Sequence, residues 1–163
     1  MEKLLDLLKS ICKKPVEFLC GSLMVTITLV VFLQVISRYV FHHPFDWPEE
    51  LARFLFVWVA LLGAALAMKR GAHFSIEALV KRLSRRWQIS IALFIQILLG
   101  TFLLIVIIKG FELALRVNEQ LSSGMEISMT LPYFAVPVSF ATMFKYILSD
   151  IYDLVKGERH FKK

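Results

Sequence analysis

The chain has 163 residues, of which 58% are hydrophobic, and its mean hydropathy is +0.68. A soluble domain divides more evenly between apolar and polar residues, so this composition excludes a soluble enzyme, a nucleic-acid-binding domain and a disulfide scaffold, despite the net charge of +6. Four segments without Asp, Glu, Lys, Arg or His account for 75 residues: 18–37, 54–68, 87–108 and 127–144. Because about 20 helical residues cross a bilayer core, the sequence predicts an all-α membrane protein with four transmembrane helices.

The predicted architecture is a single four-helix membrane domain over residues 1–163. Its transmembrane helices are expected at about 16–39, 48–69, 87–117 and 127–149. Residues 75–85 place apolar side chains on one helical face and charges on another, which predicts an amphipathic helix in the membrane plane. Residues 1–14 have the same character and fit either a second in-plane helix or an extension of the first transmembrane helix.

The basic residues indicate the orientation of the chain. Fifteen of the 19 Lys and Arg lie in the N-terminal segment, the loop 69–86 and the C-terminal segment, and four lie in the two remaining connections. Loops rich in Lys and Arg stay in the cytoplasm. The sequence therefore predicts that both termini and the loop 69–86 are cytoplasmic, and four crossings are consistent with that arrangement.

The second helix is expected to begin near Trp47, since Asp46 and Pro48 form a helix-start pattern;. Its first turns carry Glu49-Glu50-Leu51-Ala52-Arg53. The spacing predicts an i,i+4 ion pair from Glu49 to Arg53 and an i,i+3 pair from Glu50 to Arg53.

The third and fourth helices carry their own local signals. Glu112 and Arg116 are spaced for an i,i+4 pair, which extends the third helix beyond its uncharged segment;. The run 122–124 (Ser-Ser-Gly) predicts a turn. Pro137 lies deep enough in the fourth helix to remove a backbone hydrogen bond, so a kink is expected there.

Small residues mark a packing face on the second helix. Gly63 and Ala64 permit a close approach of another helix, from this chain or from a partner;.

The sequence offers little catalytic chemistry. The four uncharged segments contain no ionisable residue, and the four histidines lie outside them. His42 and His43 are adjacent, so a solvated pair is favoured over a metal site. No enzymatic activity and no cofactor are expected in this chain. Arg38 stands out because it ends a long apolar run on the side where basic residues are scarce, which fits either an interface anchor or a contact with a partner.

Several motifs resemble those of the small membrane subunit, the Q-type or DctQ-like subunit, of tripartite ATP-independent periplasmic (TRAP) transporters. They are Gln34-Val35-Ile36-Ser37-Arg38-Tyr39-Val40-Phe41, Pro44, Trp47, Glu49-Glu50-Leu51-Ala52-Arg53, Phe56-Val57-Trp58, Gly63-Ala64 and His73-Phe74-Ser75-Ile76-Glu77. The resemblance implies a subunit of the bacterial inner membrane whose partners are the bilayer, a large membrane subunit and a periplasmic substrate-binding protein. Sodium coupling is expected in the large subunit, and no nucleic acid is involved.

The resemblance also assigns expected roles to individual residues. Candidates for docking the binding protein are Arg38, Glu49, Glu50 and Arg53. Candidates for packing against the large subunit are Trp47, Trp58, Gly63 and Ala64, and His73 and Glu77 belong to a cytoplasmic loop motif. The expected substrate is an organic acid, either a C4-dicarboxylate or a sugar acid such as sialic acid.

Two alternatives from other classes stay open at this point. One is an autonomous four-helix transporter or exporter. Proton-coupled exporters need a carboxylate within the membrane, whereas the acidic residues of this chain lie at the ends of the predicted helices. The other is a membrane assembly factor without a transport role, which composition alone does not separate from a transporter subunit.

Overall fold

The structure, a computed structural model, describes residues 15–42, 45–69 and 84–156. The segment 1–14 and nearly all of the amphipathic helix predicted for 75–85 lie outside these residues. The helices are α1 (Pro15–Tyr39), α2 (Trp47–Lys69), α3 (Arg85–Arg116), α4 (Thr130–Tyr133) and α5 (Ala135–Val155). α1, α2, α3 and the combined segment from Thr130 to Tyr152 are each long and apolar enough to cross a membrane. The predicted all-α fold with four transmembrane helices is confirmed.

The first two helices form a hairpin whose lengths suit a bilayer. α1 has 25 residues and α2 has 23, which at 1.5 Å per residue gives about 35 Å each, slightly more than the hydrocarbon core. α2 begins at Trp47, where the helix-start pattern places it, and Pro48 is buried in its first turn. Proline is tolerated there because the first turn has no intrahelical partner for its missing N–H.

The helices pack in the order α1–α2–α5–α3. Among the described elements, α1 contacts α2 alone, α2 also contacts α4 and α5, and α3 contacts α4 and α5. The backbones of α2 and α3 do not come within contact distance of each other. This arrangement is an open row, in which α1 and α3 are the outer helices and each leaves most of its circumference uncovered.

A small core holds three of the helices together. Ala65 of α2, Leu103 of α3, and Met143 and Ile147 of α5 form one buried cluster. By contrast, Ser37 is the one buried side chain among the 25 residues of α1. Large apolar side chains on the outer helices are more than half exposed, including Leu29, Phe32, Phe94 and Ile105. Lipid or another membrane chain must cover them, because exposure of so large an apolar surface to water is energetically unfavourable.

The fourth transmembrane segment is broken near its start. α4 ends at Tyr133 and α5 begins at Ala135, with Phe134 between them. Pro137 has no N–H to donate to the carbonyl of Tyr133, four residues earlier, and its ring crowds that carbonyl. The loss of this hydrogen bond separates α4 from α5 one turn before the proline, while Phe134 keeps a right-handed helical backbone; the kink stays a prediction. The segment starts at Thr130 rather than 127, since residues 120–129 form a hydrogen-bonded loop.

One glycine allows α3 and α5 to approach closely at this break. A Cβ atom on Gly110 would lie 3.0 Å from Cγ1 of Val136 and 3.3 Å from Cδ of Pro137. Both distances are below ordinary van der Waals contact. A side chain at position 110 would therefore force Val136 or Pro137 to shift by a few tenths of an ångström.

Candidate functional site

The first turn of α2 binds the loop that connects α3 to α4. Oε2 of Glu50 accepts hydrogen bonds from the backbone N–H groups of Gly124 at 2.8 Å and Met125 at 2.9 Å. The predicted ion pair between Glu50 and Arg53 is wrong. Two backbone donors converge on this carboxylate and are held in fixed positions, whereas an ion pair would have to order a long, solvated arginine side chain.

The loop has a defined shape that presents those two donors. Ser122 donates its N–H to the carbonyl of Ile127 at 2.9 Å, and Met129 donates to Gln120 at 2.9 Å. Glu126 adopts a positive φ of 53° to close the turn. The predicted turn at 122–124 is confirmed, and its hydrogen bonds fix the loop before it meets α2.

Gly124 fits closely between this loop and α2. A Cβ atom at this position would lie 3.0 Å from Oε2 of Glu50 and 3.3 Å from the carbonyl oxygen of Asp46. A side chain would therefore displace the carboxylate that anchors the loop. The sequence indicates a turn glycine here but gives no sign of its contact with α2, which is 74 residues away.

The loop and α2 together border a shallow charged depression, which we call the acidic rim. Its volume is about 380 Å³, and its lining residues are Asp46, Glu49, Glu50, Arg53, Ser123 and Gly124. The predicted pair from Glu49 to Arg53 is confirmed at 3.5 Å, and its side chains are 60% and 70% exposed. Such exposed pairs contribute about 0–1 kcal/mol, so both side chains can exchange partners at little cost.

Arg38 lies at the same end of the molecule as the acidic rim, in the last turn of α1. Its side chain is exposed, and it forms no ion pair with a residue in the described part of the chain. The structure thus brings Glu49, Glu50 and Arg53 together in one depression, and Arg38 is an exposed cation outside its lining.

The two tryptophans among the packing candidates have different surroundings. Nε1 of Trp58 donates a hydrogen bond to the carbonyl of Leu131 at 3.2 Å, which ties α2 to α4. Trp47 is 37% exposed at the start of α2, where an aromatic ring suits the membrane interface. An apolar depression of about 320 Å³ extends between α2 and the α4–α5 break, where Phe54, Val57, Pro132 and Val136 line it.

Gly63 and Ala64 lie on a face of α2 that none of the described residues covers. A Cβ atom on Gly63 would meet nothing within 4 Å, and Ala64 is exposed. The neighbouring Ala65 is instead fully buried in the core. The packing predicted for Gly63 and Ala64 therefore has no partner helix in the described part of this chain. The prediction for His73 and Glu77 concerns residues outside that part.

These features define a multi-pass membrane subunit with an open row of helices and an exposed charged surface at one end. Residues 27–157 match the family of tripartite ATP-independent periplasmic transporters, DctQ component. The chain belongs to this family and is the small permease subunit of a TRAP transporter in a bacterial inner membrane. Subunits of this kind work together with a large membrane subunit, and the family is a transporter component rather than an enzyme family.

Individual relatives agree with this assignment. The chain is 33% identical to a candidate TRAP transporter small permease protein of Haemophilus influenzae, over 89% of this chain and 92% of that protein. It is 29% identical to the sialic acid TRAP transporter small permease protein SiaQ of Vibrio cholerae, over 93% and 88% of the two chains. It is also 28% identical to the sialic acid TRAP transporter permease protein SiaT of Haemophilus influenzae, over 88% of this chain but 24% of that much longer protein.

Proposed function

We propose that this chain scaffolds the large transport subunit and helps to dock a periplasmic substrate-binding protein. The observation that supports scaffolding most directly is the open row of helices. α1 and α3 leave broad apolar surfaces uncovered, and Gly63 on α2 faces open space within this chain. In a membrane, close helix packing depends on small residues that let two backbones approach. A second membrane chain that packs along Gly63 would give this face the partner it lacks.

Docking is supported by the charged surface at the α1–α2 end. Arg38, Glu49 and Arg53 are exposed there, and Glu50 anchors the neighbouring loop. The positive-inside rule assigns this end to the periplasm, because the connections there carry four of the 19 Lys and Arg;. Charges at the rim of an interface steer encounter and set specificity more than they add affinity, which suits a binding protein that delivers solute and leaves.

The transported solute is proposed to be an organic acid. Curated relatives include sialic acid and C4-dicarboxylate small permease proteins, so both substrate classes occur among similar chains. We assign sodium coupling and the substrate site to the large subunit, and we propose that this chain works without a cofactor. The uncharged transmembrane segments of this chain offer no ionisable side chain with which to bind a charged solute;.

The docking proposal is tested by reversing one charge in the reconstituted transporter. Arg38→Glu should slow uptake at limiting concentrations of binding protein, and excess binding protein should restore the rate, because capture and not translocation is affected. The matched control is Lys156→Glu, which makes the same charge change near the end of α5, at the opposite end of the molecule. Unchanged uptake by Arg38→Glu at every binding-protein concentration contradicts the docking role. If the Arg38→Glu variant instead loses the large subunit during purification, Arg38 contributes to the assembly of the two membrane subunits.

The scaffolding proposal is tested by enlarging the open face. Gly63→Leu should reduce recovery of an untagged large subunit with the tagged small subunit, while the small subunit alone keeps its stability. Thr101→Leu is the control, since Thr101 is an exposed residue on the outer helix α3. Equal recovery for Gly63→Leu and the wild-type chain would show that this face of α2 contacts lipid.

A further inference from the structure

A second pocket lies at the opposite end of the molecule from the acidic rim. It has a volume of about 420 Å³ and opens between the start of α1, the end of α2 and the middle of α5. We call it the basic pocket, and its principal lining residues are Pro15, Val16, Lys69, Thr142, Lys145 and Tyr146. None of these residues belongs to the docking surface or to the packing face described above.

The basic pocket carries net positive charge. Nζ of Lys69 lies 3.2 Å from Oε1 of Glu17 and 6.0 Å from the ring centroid of Tyr146. Lys145 is exposed and forms no ion pair with any residue in the described ranges. Glu17 therefore neutralises the charge of Lys69, and the charge of Lys145 is available to a ligand.

The position of the pocket along the helices places it at a membrane surface. Val16, Lys69 and Lys145 lie just outside the uncharged segments 18–37, 54–68 and 127–144, so the pocket is level with the ends of three apolar segments. α5 continues ten residues beyond Lys145, or about 15 Å. Lysine and tyrosine side chains at this level are typical of the boundary between hydrocarbon and headgroups.

The inner wall of the pocket suits hydrocarbon more than a soluble ligand. The hydroxyl of Thr142 donates to the carbonyl of Val138 at 2.9 Å within its own helix, so its one donor is already used. Val16 and Ala141 add apolar side chains to the lining. The pocket thus combines two lysines with an apolar lining. A phospholipid combines an anionic headgroup with apolar acyl chains and so matches both features.

We propose that the basic pocket binds the headgroup of an anionic phospholipid, with its phosphate between Lys69 and Lys145 and its acyl chains along the helices below. Basic pockets between transmembrane helices recognise such headgroups. Phosphatidylglycerol is favoured over phosphatidylethanolamine, because the ammonium group of the latter would lie next to two lysines. Lys145 holds the phosphate directly, and Lys69 shares its charge between the phosphate and Glu17.

The test measures lipid retention by the purified complex of small and large subunits. The complex is titrated with phosphatidylglycerol or phosphatidylethanolamine and examined by native mass spectrometry, and its melting temperature is recorded at each step. Lys145→Gln and Lys69→Gln should each weaken phosphatidylglycerol binding about fivefold, and Lys145→Arg should restore it. The control Lys156→Gln removes a lysine that directly follows α5, eleven positions after Lys145, and should bind like the wild-type complex.

Three results would overturn the proposal. Equal binding of the two phospholipids by the wild-type complex would remove the requirement for an anionic headgroup. An equal loss of binding in Lys156→Gln and Lys145→Gln would indicate general surface attraction rather than a site. Equal stabilisation by inorganic phosphate in place of the lipid would make the ligand a soluble anion. The melting temperatures identify any variant that loses lipid because it unfolds.

Discussion

The close approach of α3 and α5 at Gly110 gives the sharpest prediction about stability. We expect Gly110→Ala to destabilise the subunit, because the new Cβ would lie 3.0 Å from Cγ1 of Val136 and 3.3 Å from Cδ of Pro137. Neither neighbour can move easily. Valine in a helix has one strongly preferred side-chain rotamer, and the proline ring is fixed to the backbone. The matched control is Gly63→Ala, where the added methyl group would meet nothing within 4 Å of this chain.

The expected difference between these variants follows from two contributions. Overpacking a well-fitted contact costs about 1–3 kcal/mol, and this applies at Gly110 alone. Replacement of a helical glycine by alanine contributes roughly 0.5–1 kcal/mol of stability, and this applies at both positions and cancels in the comparison. The two variants should thus differ by about 1–3 kcal/mol, or roughly 3–10 °C in melting temperature for a chain of this size.

The assay is thermal unfolding of the purified small subunit in detergent, where no partner contributes to the result. Gly110→Ala should melt below the wild-type subunit, or at best level with it, and Gly63→Ala at or above it. If Gly110→Ala melts as high as Gly63→Ala, the α3–α5 contact relaxes without cost and the argument from packing is refuted. A melting temperature for Gly63→Ala well below the wild type would instead show that this face of α2 is covered within the subunit.

Two further predictions concern orientation and the loop contact. In intact cells an impermeant thiol reagent should label Ser123→Cys and spare Ser84→Cys, because the distribution of Lys and Arg assigns these exposed positions to opposite sides;; the reverse pattern would invert the topology. Glu50→Ala should accelerate hydrogen exchange at the amide of Gly124, which loses its acceptor;, whereas Glu49→Ala should leave that amide unchanged. Equal exchange in both variants would mean that the carboxylate does not hold the loop.

Local features of this protein could be predicted from its sequence. The four spanning segments follow from hydropathy, because a helix in lipid must satisfy its own backbone and present apolar side chains along about 30 Å. The start of α2 at Trp47, the pair from Glu49 to Arg53 and the break caused by Pro137 each depend on residues within about one helical turn. Such short-range interactions depend on the spacing of residues along the sequence. For this reason the sequence predicts the start of α2 and the Glu49–Arg53 pair as the structure has them.

Part of the candidate site was also visible in the sequence. The family resemblance and the position of Arg38, Glu49, Glu50 and Arg53 at the outer ends of the first two helices predict these residues as docking candidates. The structure places three of them in one depression, and Arg38 lies outside its lining in the last turn of α1. The partner of Glu50 was predicted wrongly, since local spacing suggests Arg53 and gives no information about a loop that follows two helices later.

Only the tertiary structure shows which helix surfaces pack against other helices of this chain and which remain exposed. Gly63, Ala64 and Ala65 are consecutive small residues, yet Ala65 is buried in the core while Gly63 faces open space. Lys69 and Lys145 come from different helices and meet at one pocket because α2 and α5 pack side by side. Hydropathy identifies a helix as membrane-spanning but does not order helices within the row, because lipid is as apolar as a neighbouring helix and the choice between them depends on the fit of side chains.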